Sequence, residues 1–218
     1  MRFRSLVFIT ALILLVVSAV PGIAAENRAV NDYSKHWAAG TIRQVLSAGL
    51  MKGYAEGVFG PDDLLTRAQM AVLTGKMFHL DYGDKRFIKA PKLSDSYDDV
   101  RENQYYSDAV LMWAINDILP TGSRRFEPDK PVTRLEAAHA VKQCFQAKKA
   151  QIVMIMMMPV YEDTQSLSEE QQQDIAYVTN TGIMRGDQNR FRPNAPLTRA
   201  EAAVILLKAN QVYQNSQK

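Results

Sequence analysis

Apolar residues recur at three- and four-residue intervals along much of the chain, the spacing that places them on one face of an α-helix. One stripe runs through Ala38, Ile42, Val45 and Leu46, and a second through Met70, Ala71, Thr74, Met77 and Phe78. Ala137, Ala138, Val141, Cys144 and Phe145 form a third, and Ala202, Ala203, Leu206, Ala209 and Asn210 a fourth. Each of the last three stripes starts just after a Thr-Arg pair: Thr66-Arg67, Thr133-Arg134 and Thr198-Arg199. Seven residues before each threonine stands a phenylalanine (Phe59, Phe126, Phe191), followed two residues later by Pro61, Pro128 or Pro193. The arginines are 67 and then 65 residues apart. Three coincidences at fixed offsets identify an internal repeat, which decides the fold before any other signal does.

Each repeat predicts helix, loop, helix. Gly49 and Gly53 punctuate the end of the first helix in unit one, as Gly182 and Gly186 do in unit three. The second helix starts at the threonine. Thr66 with Gln69, Thr133 with Glu136 and Thr198 with Glu201 have capping-box spacing: the hydroxyl accepts the third helical N–H and the longer side chain reaches back. Two helices of this size cannot bury their apolar faces alone. Three units packed together can, so the expectation is one all-α body of three helix-loop-helix repeats, three-lobed and with approximate threefold symmetry. The segment from Asp81 to Ser96 reads as loop. The second connector differs: after Lys148 and Lys149 comes the apolar run Ile152 to Met158, then Pro159. It reads as a buried inter-unit strand or helix extension, with a soft partner-binding surface as the alternative.

The N-terminus adds a different signal. Arg2 and Arg4 precede an apolar run from Leu6 to Val20, closed by Pro21-Gly22 and Ile23-Ala24-Ala25. That is the anatomy of a secretory signal peptide over residues 1–25, and the run is shorter than the roughly 20 residues a membrane span needs. Its removal takes the formal charge from +3 to +1, so the balance gives no reason to expect nucleic acid or an anionic membrane as partner. A membrane span after signal removal is not expected either. The units then occupy 26–90, 91–158 and 159–218.

Little in the composition suggests catalysis. Cys144 is the sole cysteine and lies on an apolar stripe. His36 is followed by no carboxylate at metal-ligand spacing, His139 has no partner identifiable by sequence, and neither Asp62-Asp63 nor Asp187-Gln188-Asn189 completes a calcium loop. No enzyme activity, cofactor or metal is expected.

The Phe-x-Pro-x₄-Thr-Arg core, the His36-Trp37 pair and an aspartate ahead of each unit together resemble the S-layer homology module, over roughly Val30 to Ala209. The resemblance implies a helical three-lobed spindle. It also implies export to the cell surface and non-covalent anchoring to the bacterial cell wall, through secondary cell-wall polysaccharide that often bears pyruvate ketals, bound in grooves between units. It implies carbohydrate-binding roles for Arg67, Arg134 and Arg199. The same roles extend to Asp32, Asp99 and Asp163, to the aromatics Trp37 and Tyr106, and to the loop glycines Gly53, Gly122 and Gly186. Unit two departs from the family pattern, with Ile118 at the first loop glycine and Leu135 after the arginine; unit three has Glu170 at the aromatic position. An exported adapter or wall-coat subunit, with a second cell-surface protein as partner, is the alternative function.

The arginines need a physical reason. Each sits at the positive end of a helix dipole, where a cation costs a few tenths to about 1 kcal/mol. Either an anionic ligand or an Arg–Asp pair with the preceding aspartate would offset that cost. Because Glu170 cannot stack on a sugar, binding is expected to rest on Arg67 and Arg134 more than on Arg199.

Overall fold

The computed structural model describes residues 31–119, 123–154 and 157–217. The signal-peptide reading, Val30, Gly122, Ile155 and Met156 lie outside the described residues. Among the described residues seven helices follow one another: α1 (Ala39–Ser47), α2 (Arg67–Phe78), α3 (Leu93–Ser96), α4 (Ser107–Ile115), α5 (Arg134–Ala147), α6 (Glu169–Asn180) and α7 (Arg199–Ser216). The fold is all-α, and pairing between extended residues is limited to isolated bridges among the described residues.

All three expected capping boxes form, at Thr66 with Gln69, Thr133 with Glu136 and Thr198 with Glu201. A fourth, Ser168 with Gln171, starts α6. The first helix of each unit ends on a left-handed residue: Gly49 (φ 66°), Gly182 (φ 72°) and, in unit two, Asp117 (φ 54°). Asp117, rather than Ile118, therefore takes the glycine position. Aspartate tolerates this region better than most residues, and Lys85 Nζ bonds its carboxylate at 2.8 Å. Ile118 is instead fully buried. The Asp81–Ser96 connector is mostly loop, as its composition predicts, but closes with the short helix α3.

The units close into a ring. α2 packs on α4, α5 on α6, and α7 on α1, so each unit gives its second helix to the first helix of the next. Three buried residues form the hub. Leu65 N–H donates to Leu197 O (2.9 Å), Leu197 N–H to Val132 O (3.0 Å), and Val132 N–H to Leu65 O (2.9 Å). Around them, Arg67 and Ala68 donate backbone N–H bonds to Lys130 and Pro128, Arg134 and Leu135 to Ala195 and Pro193, and Arg199 and Ala200 to Asp63 and Pro61. The free N–H groups of each second helix are thus satisfied by the neighbouring unit's Phe-x-Pro loop.

The apolar core is continuous across the units. Phe78 of α2 meets Phe145 of α5 and Tyr213 of α7, each at 5.0 Å between centroids. Trp113 of α4, fully buried, donates Nε1–H to Thr74 Oγ1 of α2 at 2.9 Å, which satisfies the polar residue in the α2 stripe. The apolar run Ile152–Met158 is neither buried strand nor helix extension where it is described. Val153, Met157 and Met158 are exposed, and Asn180 holds Met157 through its backbone N–H (3.4 Å) and O (2.8 Å).

Candidate functional site: three grooves between the units

Two sets of charged residues build the loops that the grooves share. The carboxylate of Asp32 accepts the N–H groups of Phe59 (2.9 Å) and Gly60 (2.7 Å). Asp99 accepts those of Phe126 and Glu127, both at 2.8 Å. Asp163 accepts those of Phe191 (2.9 Å) and Arg192 (2.8 Å). In each pair the second residue is left-handed (Gly60, Glu127, Arg192), so two successive N–H groups point at one anion. Burial alone would raise the Asp163 carboxyl, but these N–H bonds outweigh it and hold the group below its ordinary value. The Arg–Asp pairing considered from sequence does not form, because these aspartates bond the loop backbone.

The arginines leave their own helices and enter the next unit. Arg134 Nε donates to Phe191 O (2.8 Å) and Nη2 to Arg185 O (3.0 Å), with the guanidinium 5.0 Å above the Phe191 ring. Arg199 repeats this on unit one: Nε to Phe59 O (2.9 Å), Nη2 to Lys52 O (3.0 Å). Its guanidinium lies 4.8 Å from the Phe59 ring centroid and 4.3 Å from that of Tyr54. The structural answer to the dipole question is therefore a staple between units, and both arginines are over nine-tenths buried. Among the described residues no hydrogen bond reaches Nη1 of Arg199, while Nη1 of Arg134 stands 4.0 Å from Glu201.

Arg67 behaves differently. It reaches Phe126 O through Nη1 (2.9 Å), and it is ion-paired with Glu127 (3.0 Å) and Glu136. Its Nε is buried without a partner. Burial would raise the Glu136 carboxyl, yet the Arg67 and Thr133 bonds carry it below the ordinary glutamate value.

Trp37 (69% exposed) joins Arg134, Arg185, Glu201, Val204, Ile205 and Lys208 around a groove of about 200 Å³. Tyr105 (70% exposed) joins Arg199, Lys52, Gln69, Val72, Leu73 and Lys76 around one of about 310 Å³. The third, about 420 Å³, is lined by Lys130, Glu136, His139, Glu170, Asp174 and Asn194, among others. Its charge is the reverse of the second. The Tyr105 groove has three cations on its walls and no carboxylate; the Glu170 groove has one cation and three carboxylates.

Two expectations change. The aromatic of unit two in the groove is Tyr105, while Tyr106 is half-buried and packs on the core. Tyr105 stands five residues before the buried Val110, as Trp37 stands five before Ile42, so helix phase contained the right answer. Glu170 has the same offset from Ile175, in agreement with its expected place. Second, an arginine does not share a groove with its own unit's aromatic. Arg199 meets Tyr105 and Arg134 meets Trp37, while Glu136, the ion-pair partner of Arg67, lines the groove of Glu170. Arg199, expected to matter least, belongs to the most cationic groove.

The glycines have steric reasons. A Cβ on Gly53 would lie 2.5 Å from Val58 O, and one on Gly186 would lie 2.3 Å from Tyr161. Sequence reasoning also missed Tyr54 over Arg199, and Lys52, Lys76, Arg185 and Lys208 on the groove walls. Lys76 and Lys208 are legible only once α2 and α7 are aligned on Arg67 and Arg199.

A sequence model of the S-layer homology domain matches residues 31–71, 96–138 and 161–203. The chain belongs to the S-layer homology (SLH) domain family. Each SLH match starts shortly before the loop-binding aspartate and ends inside the second helix. Similar proteins include a surface-layer 125 kDa protein of Lysinibacillus sphaericus, 25% identical over 88% of this chain and 16% of that protein. An S-layer protein of Bacillus anthracis is 24% identical over 91% of this chain and 22% of its own length. An exoglucanase of Acetivibrio thermocellus is 22% identical over 88% of this chain and 17% of its own. The SLH chain spans less than a quarter of each. No described helix is long and apolar enough to cross a membrane.

Proposed function

We propose that this chain is a non-catalytic anchor that attaches to the bacterial cell wall by binding an acidic secondary cell-wall polysaccharide. SLH membership and the surface-layer relatives support the cell-wall location. Two grooves do the binding. One observation carries the reading: in the Trp37 and Tyr105 grooves, a buried arginine from one unit, an exposed aromatic from another and basic walls converge. Such a groove suits a sugar ring that carries a carboxylate, with the apolar ring face on the aromatic and the acid among the cations. A pyruvate ketal supplies that carboxylate on an otherwise neutral sugar.

In this reading the modules are 26–90, 91–158 and 159–218, and residues 1–25 direct export. Asp32, Asp99, Asp163, Gly53 and Gly186 shape the loops, and Arg134 and Arg199 both hold the ring closed and face the ligand. The test is titration of the exported chain with purified wall polysaccharide before and after mild-acid removal of pyruvate. Loss of binding on depyruvylation is expected; equal binding would reject the acidic-ligand reading. The adapter reading rests on exposed Val153, Met157, Met158 and Val160. It predicts surface association that survives removal of the polysaccharide.

A further inference from the structure

The Glu170 groove repeats the position of the two anion-suited grooves but none of their chemistry. Where they have Trp37 and Tyr105 it has Glu170, where they have Val204 and Val72 it has His139, and where they have Lys208 and Lys76 the same helical position is Gln143. His139 is 93% buried, being 7% exposed. Its Nδ1 lies 2.8 Å from Asp174 Oδ2, and Lys142 Nζ donates to the other oxygen at 2.7 Å. In the tautomer that donates Nδ1–H to Asp174, Nε2 is the acceptor of the ring. Nε2 has no partner among the described residues, and His139 lines the groove. Glu170 likewise has no ion pair or hydrogen bond among them and is exposed. Glu136 differs, since Arg67 and the Thr133 N–H occupy it. Two acceptors therefore stand unused in a groove of about 420 Å³, beside the polar side chains of Ser168, Gln171 and Asn194.

We propose that this groove binds the protonated amine of an amino sugar, with the ammonium bonded by Glu170 and by Nε2 of His139. An ammonium donates three hydrogen bonds and accepts none, which matches a site with unused acceptors and, in Glu170, a carboxylate without a cation partner among the described residues. Hydroxyl-bonding side chains, with Leu135 the apolar exception, favour a sugar over a peptide lysine, whose long stem needs apolar cover. A free hexosamine amine is the distinguishing group, because N-acetylation removes its charge and adds bulk.

The inference stands apart from the acidic-polysaccharide reading, and one experiment separates them. The full chain is titrated by calorimetry with a β-1,4-linked glucosamine hexamer, its fully N-acetylated counterpart, oligolysine, and purified acidic wall polysaccharide. The glucosamine hexamer is expected to bind and the acetylated one not. Glu170→Gln should weaken glucosamine binding about fivefold or more and leave wall-polysaccharide binding unchanged. His139→Val, which installs the side chain of the other grooves, should act in the same direction; if it fails to fold, the exposed Glu170→Gln variant carries the test. Equal binding of both hexamers, tighter binding of oligolysine, or insensitivity to Glu170→Gln would each overturn the proposal. Loss of wall-polysaccharide binding alone would leave it standing.

Discussion

The Tyr105 groove and the Glu170 groove are built from the same backbone parts and differ in what the side chains do with them. In both, an arginine after the helix cap crosses to the next unit and bonds the phenylalanine carbonyl. In the Tyr105 groove that arginine has Tyr54 and Phe59 rings against it, no carboxylate partner and an unused nitrogen. At the other junction Glu127 and Glu136 neutralise Arg67 inside the protein. A residue repeated three times for closing the ring is thus taken up internally where carboxylates hold it at hydrogen-bond distance, as at Arg67, and is left open to an external anion at Arg199 and, with Glu201 4.0 Å away, at Arg134. The capping residue helps to decide this: Gln69 caps α2 as well as Glu136 caps α5, but it adds no charge.

Several measurements would break or sharpen this contrast. The largest effect concerns the ring that both grooves depend on. Ending the chain near Ala150 removes α6 and α7, uncovers α1 and α5, and deletes Leu197 from the hub with two of its three hydrogen bonds. Such a fragment should lose its cooperative melt altogether, and a sharp calorimetric transition would show that the units stand alone. Next comes the buried cluster behind the Glu170 groove. Asp174→Asn leaves Lys142 without its buried counter-charge and should cost about 3 kcal/mol in denaturant unfolding, while polysaccharide affinity at the Tyr105 groove stays the same.

That cluster also sets an acid limit. Burial would raise the Asp174 carboxyl, but bonds from His139 and Lys142 bring it below its ordinary value of 3.8. A carboxylate lowered on folding stabilises the protein above its unfolded value, and that stability is lost as pH falls through the folded one. The melting temperature should therefore be level with respect to Asp174 through neutral pH and fall below about pH 4. Asp174→Asn should flatten part of that fall. A stability loss centred near pH 6 instead would point to histidine as the controlling group.

Much of the scaffold was legible because it is written locally. The Thr-x-x-Gln/Glu caps, the apolar stripes and Gly49 and Gly182 depend on residues a few positions apart, and the repeat multiplied each signal by three. The grooves were legible by residue type and not by assembly. Arg199 points into unit one, 140 positions away, and no periodicity encodes which unit follows which around a closed ring. Pairing each arginine with its own unit's aromatic was the natural linear reading, and ring closure overturns it. Tyr105 could have been chosen over Tyr106 by counting back from Val110. Asp117 at the turn glycine was hidden because left-handed backbone is rarely written without glycine. The Met-rich run shows the opposite limit: composition suggested burial, yet its described residues are largely exposed.

The smallest effects come from exposed side chains. Glu170→Gln should change stability by less than about 0.5 kcal/mol and leave acidic-polysaccharide affinity intact. Tyr105→Ala should be equally mild for stability, since the side chain is 70% exposed, but should cost about tenfold in affinity through lost apolar contact.

The most direct test is therefore calorimetric titration of purified acidic wall polysaccharide into Tyr105→Ala and Glu170→Ala side by side, with both melting like the parent. The account predicts about tenfold weaker binding for Tyr105→Ala and parental affinity for Glu170→Ala. Parental affinity for Tyr105→Ala together with a clear loss for Glu170→Ala would contradict it, and would move the polysaccharide to the groove beside Arg67.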